Sequence, residues 1–361
     1  MVSATSASLC KHNSFSLPQT LLYCFTLASF FVTSLYLFVP STVRKLPRDH
    51  TKHIKWRSFI VTAVSAMGIA VYPWLFCDNG DLHVEDEKKN LWYSYVGITA
   101  ASLQTIKVVL HATILYFGSF ACSWMNYYHH ARIMQLNEER RSKLPLLPKP
   151  RYMIISFSRL WIKSTKESLQ SFFKDETYRW TILRNLLIAP ISEECVFRAC
   201  IIAPLLSSHN MDTTATSNSV GHISLSPTQV CWIAPLFFGV AHLHHFYEQY
   251  RRLPILQRTK ETILKLTLGL LFQFSYTTLF GAYASHVFIR TGSLLSAILV
   301  HMFCNYMGLP EINFVSPTSG LHCYRWLLLV AYIIGIVIFI KGFDSSFLGL
   351  FPPESVLPPL L

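Results

Sequence analysis

Apolar runs of about 20 residues recur along this 361-residue chain, and they limit the fold more than any other feature. In lipid a helix satisfies its own backbone polar groups, so each run predicts a membrane-crossing helix. The composition agrees, with 52% hydrophobic and only 14% charged residues. The predicted fold is therefore all-α, a polytopic helical membrane protein.

Charge distribution orients the runs. The net charge of +12 is compatible with nucleic-acid binding in principle. However, the Lys and Arg residues cluster between the apolar runs, as the positive-inside rule expects, so no nucleic-acid partner is predicted. Residues 21–40 form a first span, read as a retained anchor rather than a cleaved signal. The segment 41–57 carries six Lys/Arg residues and is expected in the cytosol. Residues 58–77 return across the bilayer to a mostly acidic loop, 78–90. A third span, 96–120, carries Lys107 and His111 one turn apart, for which a structural role is the expectation. Segment 127–179 is the largest polar insert, with eleven Lys/Arg residues, Leu-Pro repeats at 144–150 and amphipathic pieces around 154–173 that suit an anionic membrane surface.

Residues 180–206 are apolar enough to cross, and 207–227 has no Lys or Arg and is expected outside the cytosol. Residues 230–243 enter next and end in His242, His244 and His245. A basic loop at 247–261 follows, then spans at 263–289, 294–307 and 326–340. The total is about eight transmembrane helices with both termini away from the cytosol. The nine cysteines show no CxxC pair and read as small buried hydrophobes.

Three polar constellations interrupt these greasy helices. A charge near the middle of a span costs at least about 2.5–3.5 kcal/mol, so such residues usually face a cavity and have a job. The first is Glu193 and Glu194 with Arg198. On a helix Glu194 and Arg198 are four apart and can pair, while Glu193 is turned roughly 100° away and is left for chemistry. The second is Phe238 with His242, and the third is His301 with Asn305, each at i, i+4 spacing. A carboxylate can take a proton from water, imidazoles can shuttle protons, and His and Asn can donate to an oxyanion. Together these groups suffice for hydrolysis and predict a polar catalytic cavity enclosed by the helices.

These motifs, EExxxR, FxxxH and HxxxN in that order, resemble the type II CAAX prenyl endopeptidases, the Ras-converting CAAX proteases of the endoplasmic reticulum. The segment GVAHLHHF around His242 resembles their eukaryotic branch. The resemblance covers roughly residues 180–310. It implies a membrane endopeptidase that removes the last three residues of farnesylated or geranylgeranylated CAAX proteins, Ras-like small GTPases among them, with a glutamate-activated water and no cofactor or metal. It further implies Glu193 as general base assisted by His242, His301 and Asn305 as oxyanion stabilisers, and Glu194 and Arg198 as holders of the geometry. The expected location is the endoplasmic reticulum membrane, multi-pass, with the site reached from the cytosol. The expected division is an N-terminal membrane region at 1–179 with three spans and the basic insert, a catalytic core at 180–310, and a last span with tail at 311–361.

Other classes remain open at this level. Glu193, His242 and His301 could supply three zinc ligands, although no HExxH is present. A thiol nucleophile at Cys195 or Cys200 would have its thiolate disfavoured beside two carboxylates. A non-catalytic scaffold or a proton-coupled transporter could also bury such charges, but no inverted repeat is evident.

The charge pattern makes a topological prediction. Tags in 41–57 and 127–179 are expected to be digested from the cytosolic side of sealed microsomes, and a tag at position 215 is expected to be protected. Digestion at 215 would overturn that topology.

Overall fold

The computed structural model describes residues 15–76, 97, 102–142, 166–210, 223–242 and 244–352. The acidic loop 78–90, the Leu-Pro repeat, most of the loop 207–227 and the end of the tail lie outside them, as do the side chains of His244 and His245.

The described chain is built from helices: α1 (Leu17–Leu37), α2 (Thr51–Phe76), α3 (Leu103–Leu115), α4 (Phe117–Ser142), α5 (Glu176–Leu183), α6 (Ala189–Glu194), α7 (Ile202–Ser207), α8 (Pro227–Ala241), α9 (His244–Arg252), α10 (Lys260–Thr291), α11 (Leu294–Met307) and α12 (Arg325–Lys341). Two residues, His209 and Asn210, pair antiparallel with Ser224 and Ile223 and close the loop after α7. Local sequence sets several starts. Ser226 receives the Gln229 amide at 3.2 Å ahead of a Pro at N1, and Asp175 receives the amides of Thr177 and Tyr178 at the start of α5.

This is a helical membrane protein. Among the described residues, four helices are long and apolar enough to cross a bilayer, and the bent pair α3–α4 makes a fifth. α8 and α11 are apolar but only 15 and 14 residues long, or about 21–23 Å against a hydrocarbon core of about 30 Å. By length and composition the described helices give four or five spans rather than the expected eight or so. The third span also differs from its predicted form. It bends by 61° between α3 and α4, and α4 runs on to Ser142, through residues assigned to the polar insert. The bend falls at Tyr116, whose amide bonds back three residues to Thr113 instead of four. At Gly118 the Tyr332 ring packs where a side chain would stand, 2.2 Å from an ideal Cβ, so α12 can press against the start of α4.

Apolar side chains point outward as well as inward. On α10, Leu264, Leu268, Leu271, Phe272 and Leu279 are all exposed, and on α12 Trp326, Val330, Ile333 and Val337. Stripes of this size belong against lipid tails. Inside, one continuous core draws on α1, α2, the glutamate-bearing helix, α8, α10 and α11, with Phe31, Val64, Phe197, Ile202, Phe238 and Phe288 buried together. Thus the N-terminal helices pack directly on the helices that carry the motifs. Lys107 and His111 serve packing, as expected. The Lys107 ammonium donates to the Gly349 carbonyl at 3.0 Å, and His111 bonds to the Tyr283 hydroxyl and the Phe339 carbonyl at 2.9 Å each.

Close approach of α8 and α10 sets the position of Phe238 and His242. Pro235 sits inside α8, and a Cβ on Gly281 of α10 would lie 2.8 Å from the Pro235 Cβ. A Cβ on Gly239 would lie 2.9 Å from the Phe274 ring. Gly239→Val is therefore expected to force the two helices apart. Overpacking of this kind costs about 1–3 kcal/mol, to be read as a lower melting temperature in detergent.

Candidate active site

Glu193 and Glu194 end a helix that is interrupted on both sides. Pro190 has no N–H to offer the carbonyl one turn back, and its ring crowds that carbonyl. The preceding turn, Arg184–Ile188, widens to π geometry, with the Ala189 amide bonded to the Arg184 carbonyl five residues earlier. A second π turn, Cys195–Ala199, closes with the Cys200 amide on the Cys195 carbonyl at 3.2 Å. Such turns cluster at functional sites because they re-aim side chains. The short α6 between them is pinned to α2 where the Ser65 hydroxyl meets the Ser192 carbonyl at 3.0 Å.

The two glutamates have different surroundings. Glu194 is fully buried. Its Oε2 lies 3.0 Å from Arg198 Nε, an ionic contact off the N–H axis, and its Oε1 lies 2.7 Å from His301 Nδ1. An ionised carboxylate only accepts, so Nδ1 carries the hydrogen. Arg198 is held between aromatic faces, its guanidinium 4.9 Å from the Phe238 centroid and 6.0 Å from that of Phe280. Glu193 instead retains 20% side-chain exposure, with Oε2 3.8 Å from His301 Nε2. That gap exceeds a direct hydrogen bond.

His242 caps α8. Its Nδ1 lies 2.8 Å from the Phe238 carbonyl, an acceptor, which makes Nδ1 the donor and Nε2 the basic nitrogen. Phe238 joins the constellations, with its ring 4.6 Å from His242, 5.0 Å from Phe197 and 6.4 Å from His301, edge-on in each case. Glu193 and His242 line one cavity of 120 Å³, large enough to admit water. Asn305 follows His301 by one turn of α11. It is exposed, and its Nδ2 donates to the Asn185 carbonyl at 2.9 Å. Among the described residues no three His, Cys, Asp or Glu side chains converge as a metal site requires. Cys195 and Cys200 are buried.

A further group of charged residues lines the same cavity: Arg48, Arg57 and Arg184. Glu248 of α9 bridges the first two, at 3.2 Å and 3.1 Å, and accepts from the Tyr36 hydroxyl at 2.7 Å. Burial works to raise the Glu248 pKa, but the Tyr36 hydrogen bond and the two guanidiniums outweigh it and hold the carboxyl down to about 2. The charge pattern placed Arg48 and Arg57 in a cytosolic segment on topology alone, and nothing in the sequence singled out Arg184. Glu248 is 191 residues from Arg57, and no local spacing announces the pair.

Comparison with known proteins adds the family. The family described as type II CAAX prenyl endopeptidase Rce1-like matches residues 175–307. A human protein named CAAX prenyl protease 2 is 31% identical over 318 residues, 88% of this chain and 78% of its own length. Proteins of the same name from Arabidopsis thaliana and Saccharomyces cerevisiae are 35% and 37% identical over 42% and 39% of this chain, and over 42% and 40% of their own lengths. No solved structure matches the chain.

The unequal glutamates make a paired prediction. Glu194→Gln strips Arg198 of its ionic partner in a dry setting, at a cost of about 3–5 kcal/mol, and is expected to lower the melting temperature sharply. Glu193→Gln is expected to leave the melting temperature near wild type while abolishing turnover. The reverse pattern in detergent-purified variants would exchange the two assignments.

Proposed function

We propose, since this chain belongs to the Rce1-like family of type II CAAX prenyl endopeptidases, that Glu193 activates a water to cut the aaX tripeptide from prenylated CAAX proteins. The carrying observation is the division of labour at the site. Glu194 is committed to Arg198 and His301, while Glu193 keeps its solvent access and shares a cavity with His242.

In this mechanism Glu193 takes a proton from water as the oxygen attacks the scissile carbonyl carbon. His242, with Nε2 as acceptor, assists that transfer. The tetrahedral intermediate carries its charge on the former carbonyl oxygen. His301, lying between the two carboxylates, donates to that oxyanion through Nε2 once it is protonated, and Asn305 adds its second N–H when the substrate is seated. Collapse breaks the C–N bond, and the proton held by Glu193 passes to the leaving amine. The products are a tripeptide and a new carboxylate on the prenylated cysteine.

The lipid part of the substrate has a place to go. An apolar cavity of 420 Å³ opens between α1 and α8, lined by residues such as Phe25, Leu236 and Phe237, and it shares Val32 and Ala241 with the cavity of Glu193. A prenyl chain gains about 0.8 kcal/mol per buried CH₂, so a groove open to the bilayer suits it. We assign the enzyme to the endoplasmic reticulum membrane with its site toward the cytosol, supported by the arginines that line the cavity, two of them from the basic 41–57 segment.

Purified protein is expected to release the tripeptide from a farnesylated CAAX peptide. His242→Ala, His301→Ala and Asn305→Ala are expected to lose on the order of 10²-fold or more in kcat/KM. Cys195→Ala and Cys200→Ala are expected to keep most activity. An inactive but folded Cys195→Ala variant would sink the water mechanism.

A further inference from the structure

Resting on that reading, we propose that the arginine-lined end of the Glu193 cavity, led by Arg184, seats the substrate's C-terminal carboxylate and so measures off three residues.

Three guanidiniums, those of Arg48, Arg57 and Arg184, line this cavity together with the Glu193 carboxylate, and Glu248 bridges the first two. Glu248 is already shared between Arg48 and Arg57. Arg184 meets a different carboxylate, that of Asp49, at 3.5 Å, and the Asp49 side chain is 79% exposed. Its Nε also bonds to the neighbouring Asn185 side chain at 2.9 Å. Such a long contact to a solvated partner is readily exchanged for a better anion. The neighbouring guanidiniums also act on Arg48. Burial, and then the adjacent Arg57 charge, lower its pKa, with Glu248 only partly offsetting them. An anion entering this end of the cavity relieves that repulsion.

Length makes the case specific. Arg184 precedes Glu193 by nine residues across the π turn and α6, an axial distance of at most about 13 Å at roughly 1.5 Å per residue. An extended tripeptide covers about 10 Å at roughly 3.3 Å per residue, and the reach of the arginine side chain covers the remainder. With the scissile carbonyl at Glu193, the terminal carboxylate of a tripeptide leaving group falls within reach of Arg184. The apolar cavity adjoins through Val32 and Ala241 and takes the prenyl chain. Lipid, scissile bond and carboxylate thus meet groove, glutamate and arginine in order. Arginine suits the last role because its planar fork can bind a carboxylate through two parallel hydrogen bonds.

The experiment uses the full-length protein in detergent and two farnesylated CAAX peptides that differ only at the C-terminus, one a free acid and one a carboxamide. The wild type is expected to prefer the acid by on the order of tenfold or more in kcat/KM, mostly through KM. Arg184→Gln is expected to collapse that ratio toward one, and Arg184→Lys to restore part of it by keeping the charge without the fork. Turnover of the carboxamide by each variant, in the same preparation, reports that it is folded. Equal wild-type cleavage of both peptides would overturn the carboxylate seat and leave the peptidase reading standing. So would an Arg184→Gln variant that weakens both peptides by one common factor. Cleavage of neither peptide by the wild type would overturn the peptidase reading, and this inference with it.

Discussion

The buried contact of Glu194 with Arg198 and His301 is what the other helices accommodate. A carboxylate without water costs several kcal/mol unless its charge and lone pairs are answered. Here one oxygen meets Arg198 and the other meets His301, on a different helix. Arg198 is itself fully buried, so Phe238 and Phe280 provide its faces and the Gly281 carbonyl lies 3.5 Å from Nη2. Answering one buried charge has therefore drawn α8, α10 and α11 around the glutamate helix. Glycines at 239 and 281 let the backbones come that close.

From that arrangement follows the unequal treatment of two adjacent glutamates. A helix separates neighbours by about 100°, so a partner that claims Glu194 leaves Glu193 pointing elsewhere. It points to a cavity shared with His242, beside a histidine already oriented by Glu194. In the proposed mechanism the structural carboxylate thus does a second service, because it sets the tautomer of the imidazole that faces the reacting water.

The surroundings are also graded in polarity. An apolar groove between α1 and α8 shares Val32 and Ala241 with the cavity of Glu193, and that cavity is also lined by guanidiniums from the segment between α1 and α2, the start of α2 and the turn after α5. In the proposed reading, a lipidated peptide with a free carboxylate matches these polarities.

Much of this was legible without coordinates. Apolar run length alone specified helices, because lipid offers no partner for a bare backbone. The i, i+4 spacing of Glu194 and Arg198 was enough to pair them, and the cost of burying charge marked Glu193, His242 and His301 as more than packing. What spacing could not reveal depended on residues far apart in the chain. The bridge from His301 to both glutamates spans 107 residues to Glu194, and that from Glu248 to Arg57 spans 191. The 61° bend after α3 has no proline to announce it. Of the two π turns, only the first has a sequence signal, in Pro190. Local periodicity determines which face of a helix is polar, whereas the identity of the partner across the bundle is settled only when separate helices pack and each buried charge must find its complement.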